Sequence, residues 1–239
     1  MSDPKKDVMF YALVLGIVSA AALLSAYVYH GSAASAAPSL GRAESFAVLG
    51  GSTVTNTGST KITGDVGLSS PGVSVTGFPP GTIARGKQHV GDPAANAAQR
   101  DAQRAYDALA GMVCNTPLTG QDLGGKTLSP GVYCFTSSAQ LTGQLVLDAR
   151  GNRNAIWVFQ IASTLTTAPD AAVVMGDGGQ AGDVFWQVGS GATFGTGTAF
   201  AGNVLAYSSI TLNTGARLSG RALARAGVTM DGNVMHAPQ

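Results

Sequence analysis

The chain has 239 residues, with 14 Lys and Arg against 13 Asp and Glu, so a formal net charge of +1 gives no electrostatic reason to bind nucleic acid, and none is expected as a partner. Charged residues make up only 11% and Gly fills 33 positions, yet a hydrophobic content of 45% is too high for a disordered chain and the Gly residues follow no collagen-like triplet. A folded core rich in small residues is expected, in one domain or one domain plus a tail.

Lys5 and Lys6 precede an uncharged run from Val8 to Tyr29. At about 1.5 Å per helical residue this run is long enough to cross a bilayer core of about 30 Å. Ala34-Ser35-Ala36 then offers the small-x-small pattern of a signal-peptidase site, with cleavage before Ala37. Residues 1–36 read as a signal peptide; an uncleaved signal anchor over residues 8–29 is the alternative, and the only expected contact with a membrane. Either way the remainder is expected outside the cell, secreted or held at its surface. Residues 37–45 read as a short linker, and residues 46–239 as one domain, expected to be monomeric.

Three short strand patterns open that domain: Phe46-Ala-Val-Leu49, Thr53-Val-Thr-Asn-Thr57 and Lys61-Ile-Thr63. A helix is expected over residues 92–111, with Asp92 as N-cap, Pro93 at the first helical position and Gly111 as the stop. Ala94, Ala98, Ala102, Ala105 and Leu109 form its apolar stripe, opposite Asn96, Gln99, Arg100, Gln103 and Asp107. Cys114 and Cys134 follow. In an oxidising compartment they suggest a single disulfide, two buried thiols being the alternative. No metal site is expected, since His30, His89 and His236 show no ligand spacing, and no cofactor is implied.

Beyond the helix the strand patterns repeat in a fixed order. Gly131–Phe135, Ala139–Thr142 and Gln144–Asp148 are followed by Ala155–Ile161, Ser163–Thr167 and Ala171–Met175. In the last third the order becomes periodic. Thr193, Thr211 and Thr229 stand eighteen residues apart, each inside a strand pattern and flanked by Gly-rich corners. Each period is one turn of a three-sided β-solenoid, with six or seven turns matching the roughly 27 Å length of the helix.

Strand parity distinguishes the three sides. The first, as in Ile156, Trp157, Val158 and Phe159, is apolar on both faces and needs a cover, which the helix supplies. The third alternates and exposes Lys61 and Arg217, as a solvated face does. On the second, Leu141, Leu165, Phe194, Ile210, Leu212, Val228 and Met230 point inward. This leaves Thr164, Thr166, Thr193, Thr211, Asn213 and Thr229 outward, with Thr53, Thr55 and Thr142 extending the same plane; Asp231 is the one charge in the array. Thr favours strands in any case, but a face that is merely solvated normally carries Lys, Glu or Asp. A flat lattice of methyl and hydroxyl groups, repeating every 4.8 Å or so between coils, suits a repetitive solid ligand better than a small molecule.

The stretches Phe46–Gly58, Gly64-Asp-Val-Gly67, Val75–Gly81, Leu128–Tyr133, Val184-Phe-Trp-Gln-Val188, Ile210–Gly215 and Gly220–Ala224 closely resemble the DUF3494-type microbial ice-binding (antifreeze) proteins, collinearly over about residues 45 to 234. The resemblance implies an all-β chain with one long helix, a discontinuous right-handed three-sided β-solenoid (β-helix) with the helix packed alongside, and secretion. It also implies the surface of an ice crystal as partner, engaged through one flat face, with inhibition of ice growth and recrystallisation. A disulfide near the helix end, as some members carry, would join Cys114 to Cys134. Since ice-contacting residues vary within the family, the nine outward residues above rest on parity alone.

An enzyme is not expected. Parallel β-helices that cleave polysaccharides need clustered acids, whereas Glu44 is the sole Glu and Asp148, Asp170, Asp177 and Asp183 are scattered over turns. The alternative is a cell-surface adhesin or glycan-binding β-helix module, which exposed aromatics on the second side would have favoured and which its outward residues lack.

Overall fold

The computed structural model describes residues 37–72 and 74–238; the expected export segment, residues 1–36, lies outside them. Every strand pairs with its neighbours in parallel, so the stacks grow by whole turns of chain and not by hairpins. The second side is a seven-stranded sheet running Ala139–Leu141, Leu165–Thr167, Ala192–Phe194, Ile210–Leu212, Gly227–Asp231, Thr53–Thr57 and Val75–Thr76. On the first side Gly131–Phe135, Trp157–Ile161 and Val184–Val188 lead to Ala199–Ala206 and Arg217–Ala224, then to Phe46–Gly50, Asp65–Leu68 and Gln88–Val90.

This order exposes a seam. Sequence left open how the N-terminal turns stack, and they sit directly upon the C-terminal ones: Val48 pairs with Ala222, Val54 with Val228, and Lys61 with Val234. From Phe46, inside the stack, the chain therefore winds outward to Val90, crosses by the helix to the far end, and winds back from Thr116 until it meets the turn Phe46–Thr63. Turns at both ends, Asp65–Val90 and Thr116–Leu128, add to those read from sequence, so the stack is taller than six or seven turns.

The helix Pro93–Ala110 begins as its sequence dictates, Asp92 Oδ1 accepting from the Ala95 amide at 2.8 Å. Its buried stripe is Ala95, Ala98, Ala102, Ala105 and Leu109, one position removed from the expected Ala94 at the first turn. Gln99 also departs from the expected solvated face, its Nε2 donating to the Ala224 carbonyl of the solenoid at 3.1 Å, and Gln103 is half-buried. Gly111 ends the helix in right-handed geometry, φ −82°, so its freedom at positive φ is not what stops the chain. Alanines along the contact let the helix lie close over Phe46, Leu49, Val132, Val158, Phe185, Leu205 and Leu223, which makes the first side the doubly covered one. At its C-terminal end Gln160 Nε2 donates to the carbonyls of Leu109 and Met112, each at 2.7 Å, satisfying groups that a helix leaves unpaired. Cys114 and Cys134 are joined by a disulfide, fastening the helix exit to the strand Gly131–Phe135.

Inside the stack, like residues lie over like. Tyr133, Phe159, Trp186 and Phe200 form an aromatic column, Phe159 and Trp186 stacking with centroids 3.9 Å apart. Between the third and first sides the strands Ala199–Ala206 and Arg217–Ala224 bend without breaking at Gly202 and Gly220, at φ 120° and 155°. A Cβ on Gly220 would stand 1.9 Å from the Gly202 carbonyl oxygen, so the corner requires glycine on consecutive turns.

Candidate functional site

The second side presents three outward rows. Its central row, followed from turn to turn by strand register, reads Gln140, Thr166, Thr193, Thr211, Thr229, Thr55 and Thr76. Five of the nine residues expected from parity stand in this single line. Thr164 and Thr53 belong to one flanking row and Thr142 and Asn213 to the other; all nine are exposed or half-exposed. Beneath them Leu141, Leu165, Phe194, Ile210, Leu212, Val228 and Met230 are each 0 or 1% exposed, so the rows rest on a packed interior.

Parity alone should also have given Gln140, between buried Ala139 and Leu141, and Thr57, opposite Asp231. Thr76 left no such signal. It belongs to a two-residue strand, Val75–Thr76, too short for alternation to be seen.

A β-branched side chain on a strand has few rotamers, and neighbouring hydroxyls restrict it further. Thr55 Oγ1 donates to Thr229 Oγ1 at 3.3 Å, and Thr164 Oγ1 to Ser138 Oγ at 2.9 Å. Both contacts run between turns, along the direction in which the pattern repeats.

Charge is confined to the margins, and among the described residues these rows hold no Lys or Arg. Asp231 accepts from Thr57 Oγ1 at 3.1 Å and from Thr214 Oγ1. Asp122 is a second carboxylate at this border, contrary to the reading of Asp231 as the sole charge, since it lies in the segment before the first full turn. It accepts from Thr142 Oγ1 at 2.7 Å, the Thr142 amide at 3.0 Å and the Gly124 amide at 2.6 Å. Burial pushes the Asp122 pKa upward, but those hydrogen bonds, aided by Lys126, outweigh it and hold the carboxyl below its ordinary value of 3.8.

Elsewhere the polar groups serve the scaffold. A cleft of about 570 Å³ beside Ala37 and Pro238 contains Arg221, whose guanidinium donates to the carbonyls of Glu44 and Pro238 and to Asn203 Oδ1. With its donors engaged by backbone and Asn203, Arg221 ties both ends of the domain to the first side. Among the described residues no group of three or more His, Cys, Asp or Glu is placed to hold a metal ion.

Comparison with known proteins bears on this same stretch of chain. A family model described as Ice-binding-like matches residues 48–236. An ice-binding protein of Nostoc sp. (strain HG1) is 53% identical over 202 residues, covering 84% of this chain and 72% of that protein. The crystal structure of an ice-binding protein from an Antarctic biological consortium aligns with a TM-score of 0.83 at 49% identity, covering 87% of this chain and 94% of that one. That of an ice-binding protein from the ascomycete Antarctomyces psychrotrophicus aligns at 0.81 and 40% identity, covering 84% and 98%.

Proposed function

The chain belongs to the ice-binding-like family, and from that premise we propose that it adsorbs to ice through the second side of its solenoid. The observation carrying this reading is the central row, where Thr166, Thr193, Thr211, Thr229, Thr55 and Thr76 occupy six consecutive turns in strict register. Each contributes one methyl and one hydroxyl at a spacing set by the strand stack, about 4.8 Å. The methyl constrains water around it while the hydroxyl anchors the same layer by hydrogen bonding, so water is held near lattice positions before ice arrives. Bulk water competes well against any single group. A face whose side chains are already fixed forms many weak contacts at once, without the ordering cost that a flexible surface would incur.

Adsorption of this kind pins the crystal front between bound molecules and so opposes growth and recrystallisation. The protein works outside the cell, as a monomer needing no cofactor. The test is thermal hysteresis and ice-recrystallisation inhibition by the purified protein lacking residues 1–36, alongside a carbohydrate array. Ice shaping with a silent array supports the reading, whereas glycan capture without any effect on ice would replace it with the adhesin alternative.

A further inference from the structure

The central row crosses the seam. Thr166, Thr193, Thr211 and Thr229 come from the C-terminal turns, Thr55 and Thr76 from N-terminal ones, and backbone pairing brings the two sets together between Gly227–Asp231 and Thr53–Thr57. Covalent connection cannot hold this junction in register, because its two strands lie about 174 residues apart, as the Thr55 and Thr229 pair shows. At the border of that junction stands Asp231. One carboxylate oxygen accepts from Thr57 Oγ1, across the seam, and the other from Thr214 Oγ1, on the turn below. Thr57 Oγ1 also lies 3.3 Å from the Met230 carbonyl, and the Asp231 amide donates to Asn233 Oδ1 at 2.6 Å, which fixes the backbone that carries the carboxylate.

We infer that Asp231 is a positioning residue of the second side, clamping three consecutive turns so that the N-terminal and C-terminal Thr sets present one continuous plane. The inference rests on the second side being the ice-contacting face. Its physical basis is that a charged acceptor makes stronger hydrogen bonds than a neutral one, and that two such bonds diverging from one carboxylate fix two hydroxyls relative to each other. A lattice-matched surface has no use for Thr55 and Thr76 unless they keep step with Thr229 and Thr211. Asp122 has a related arrangement beside the terminal strand Ala139–Leu141, where its carboxylate receives both the hydroxyl and the amide of Thr142. Each carboxylate thus borders the face and holds a Thr of its outward rows.

The experiment compares Asp231→Ala, Asp231→Asn, Thr214→Val and the double Asp231→Ala/Thr214→Val with the unaltered protein. Melting temperature and the protein concentration giving half-maximal thermal hysteresis are measured for each, with Thr211→Tyr as a reference for loss of the face. Asp231→Ala is expected to raise that concentration about five-fold, the equivalent of one net hydrogen bond, with little change in melting temperature. Asp231→Asn, which keeps one acceptor oxygen and adds an amide donor that a Thr oxygen accepts, should stay near the parent. The double variant should be no worse than Asp231→Ala, since both changes cut the same clamp and Thr214 lies outside the three outward rows. Thr214→Val keeps the side-chain shape and should show part of the loss even if Asp231→Ala folds poorly. Parent-like hysteresis in both Asp231→Ala and Thr214→Val, with Thr211→Tyr inactive, would overturn the positioning role and leave the face assignment standing; additive losses in the double variant would do the same. Full activity in Thr211→Tyr would overturn both.

Discussion

The second and third sides of the solenoid are built by the same device and end as different surfaces. Both stack parallel strands turn upon turn, both alternate in and out, and both rest on the same packed interior. On the second side register aligns Thr with Thr over six turns. On the third it aligns Gln144, Ala172, Ala199, Arg217, Val234, Lys61 and Thr82, a row in which size and charge change from one turn to the next. The scaffold therefore supplies spacing to both faces and a repeating chemistry to one. Stiff β-branched side chains turn that spacing into a surface pattern, while Lys and Arg, with long mobile stems, blur it.

Matched substitutions separate the two sides most clearly. Thr211→Tyr props a flat crystal away from the central row and should reduce ice activity more than about ten-fold, because the weak contacts count only while their neighbours stay in register. Arg217→Tyr adds the same ring to the third side and should leave activity intact. Both should melt within about 0.5 kcal/mol of the parent, as surface substitutions away from special features do. Activity lost in Arg217→Tyr and kept in Thr211→Tyr would exchange the roles of the two sides.

What the sides share is tested through the disulfide. Cys114 and Cys134 close a loop of 20 residues, and the chain-entropy account gives about 3 kcal/mol for such a loop. A Cys114→Ser/Cys134→Ser variant should unfold at lower denaturant concentration by roughly that amount. Its thermal hysteresis in the cold should be unchanged per folded molecule, since the bond fastens the helix exit and touches neither surface.

A smaller effect separates the border of the second side from the rest by pH. The Asp122 carboxyl is held below its ordinary value of 3.8 in the folded state. Its contribution is therefore complete above that value and disappears as pH falls through the lower, folded one. Asp183 behaves oppositely: burial raises its pKa, so it opposes folding when charged, and the molecule is relieved as pH falls through the raised value. In denaturant titrations Asp122→Asn should be less stable than the parent at neutral pH, and Asp183→Asn more stable. Both differences should shrink toward pH 2, as far as the Asp122 folded value allows.

The second side was legible where the coil length is constant. Thr193, Thr211 and Thr229 share an eighteen-residue period because each intervening turn has the same corners, and Thr166 follows by parity from Leu165. Continuity of the row into Thr55 is a different matter: it depends on strands far apart in sequence pairing across the seam, and periodicity carries no information about which end of the stack they join. Thr76 and the turns Asp65–Val90 and Thr116–Leu128 escaped because many of their strands have two or three residues, too few to show alternation. In the helix, Ala94 and Ala95 are indistinguishable by hydropathy, and which of them faces the solenoid is decided by how the Asp92 cap orients the first turn. Polarity alone places Gln99 in solvent; the Ala224 carbonyl to which it donates is brought there by tertiary structure.

If the second side orders water ahead of ice, a high-resolution crystal structure of the protein will show that order in its hydration layer. Well-ordered waters are expected along the central row, bound to the hydroxyls of Thr166, Thr193, Thr211, Thr229 and Thr55 and repeating with the turns, with no comparable series over Arg217, Val234 and Lys61. Waters over the second side no more regular than those over the third, in a crystal where neither side touches a neighbouring molecule, would contradict it.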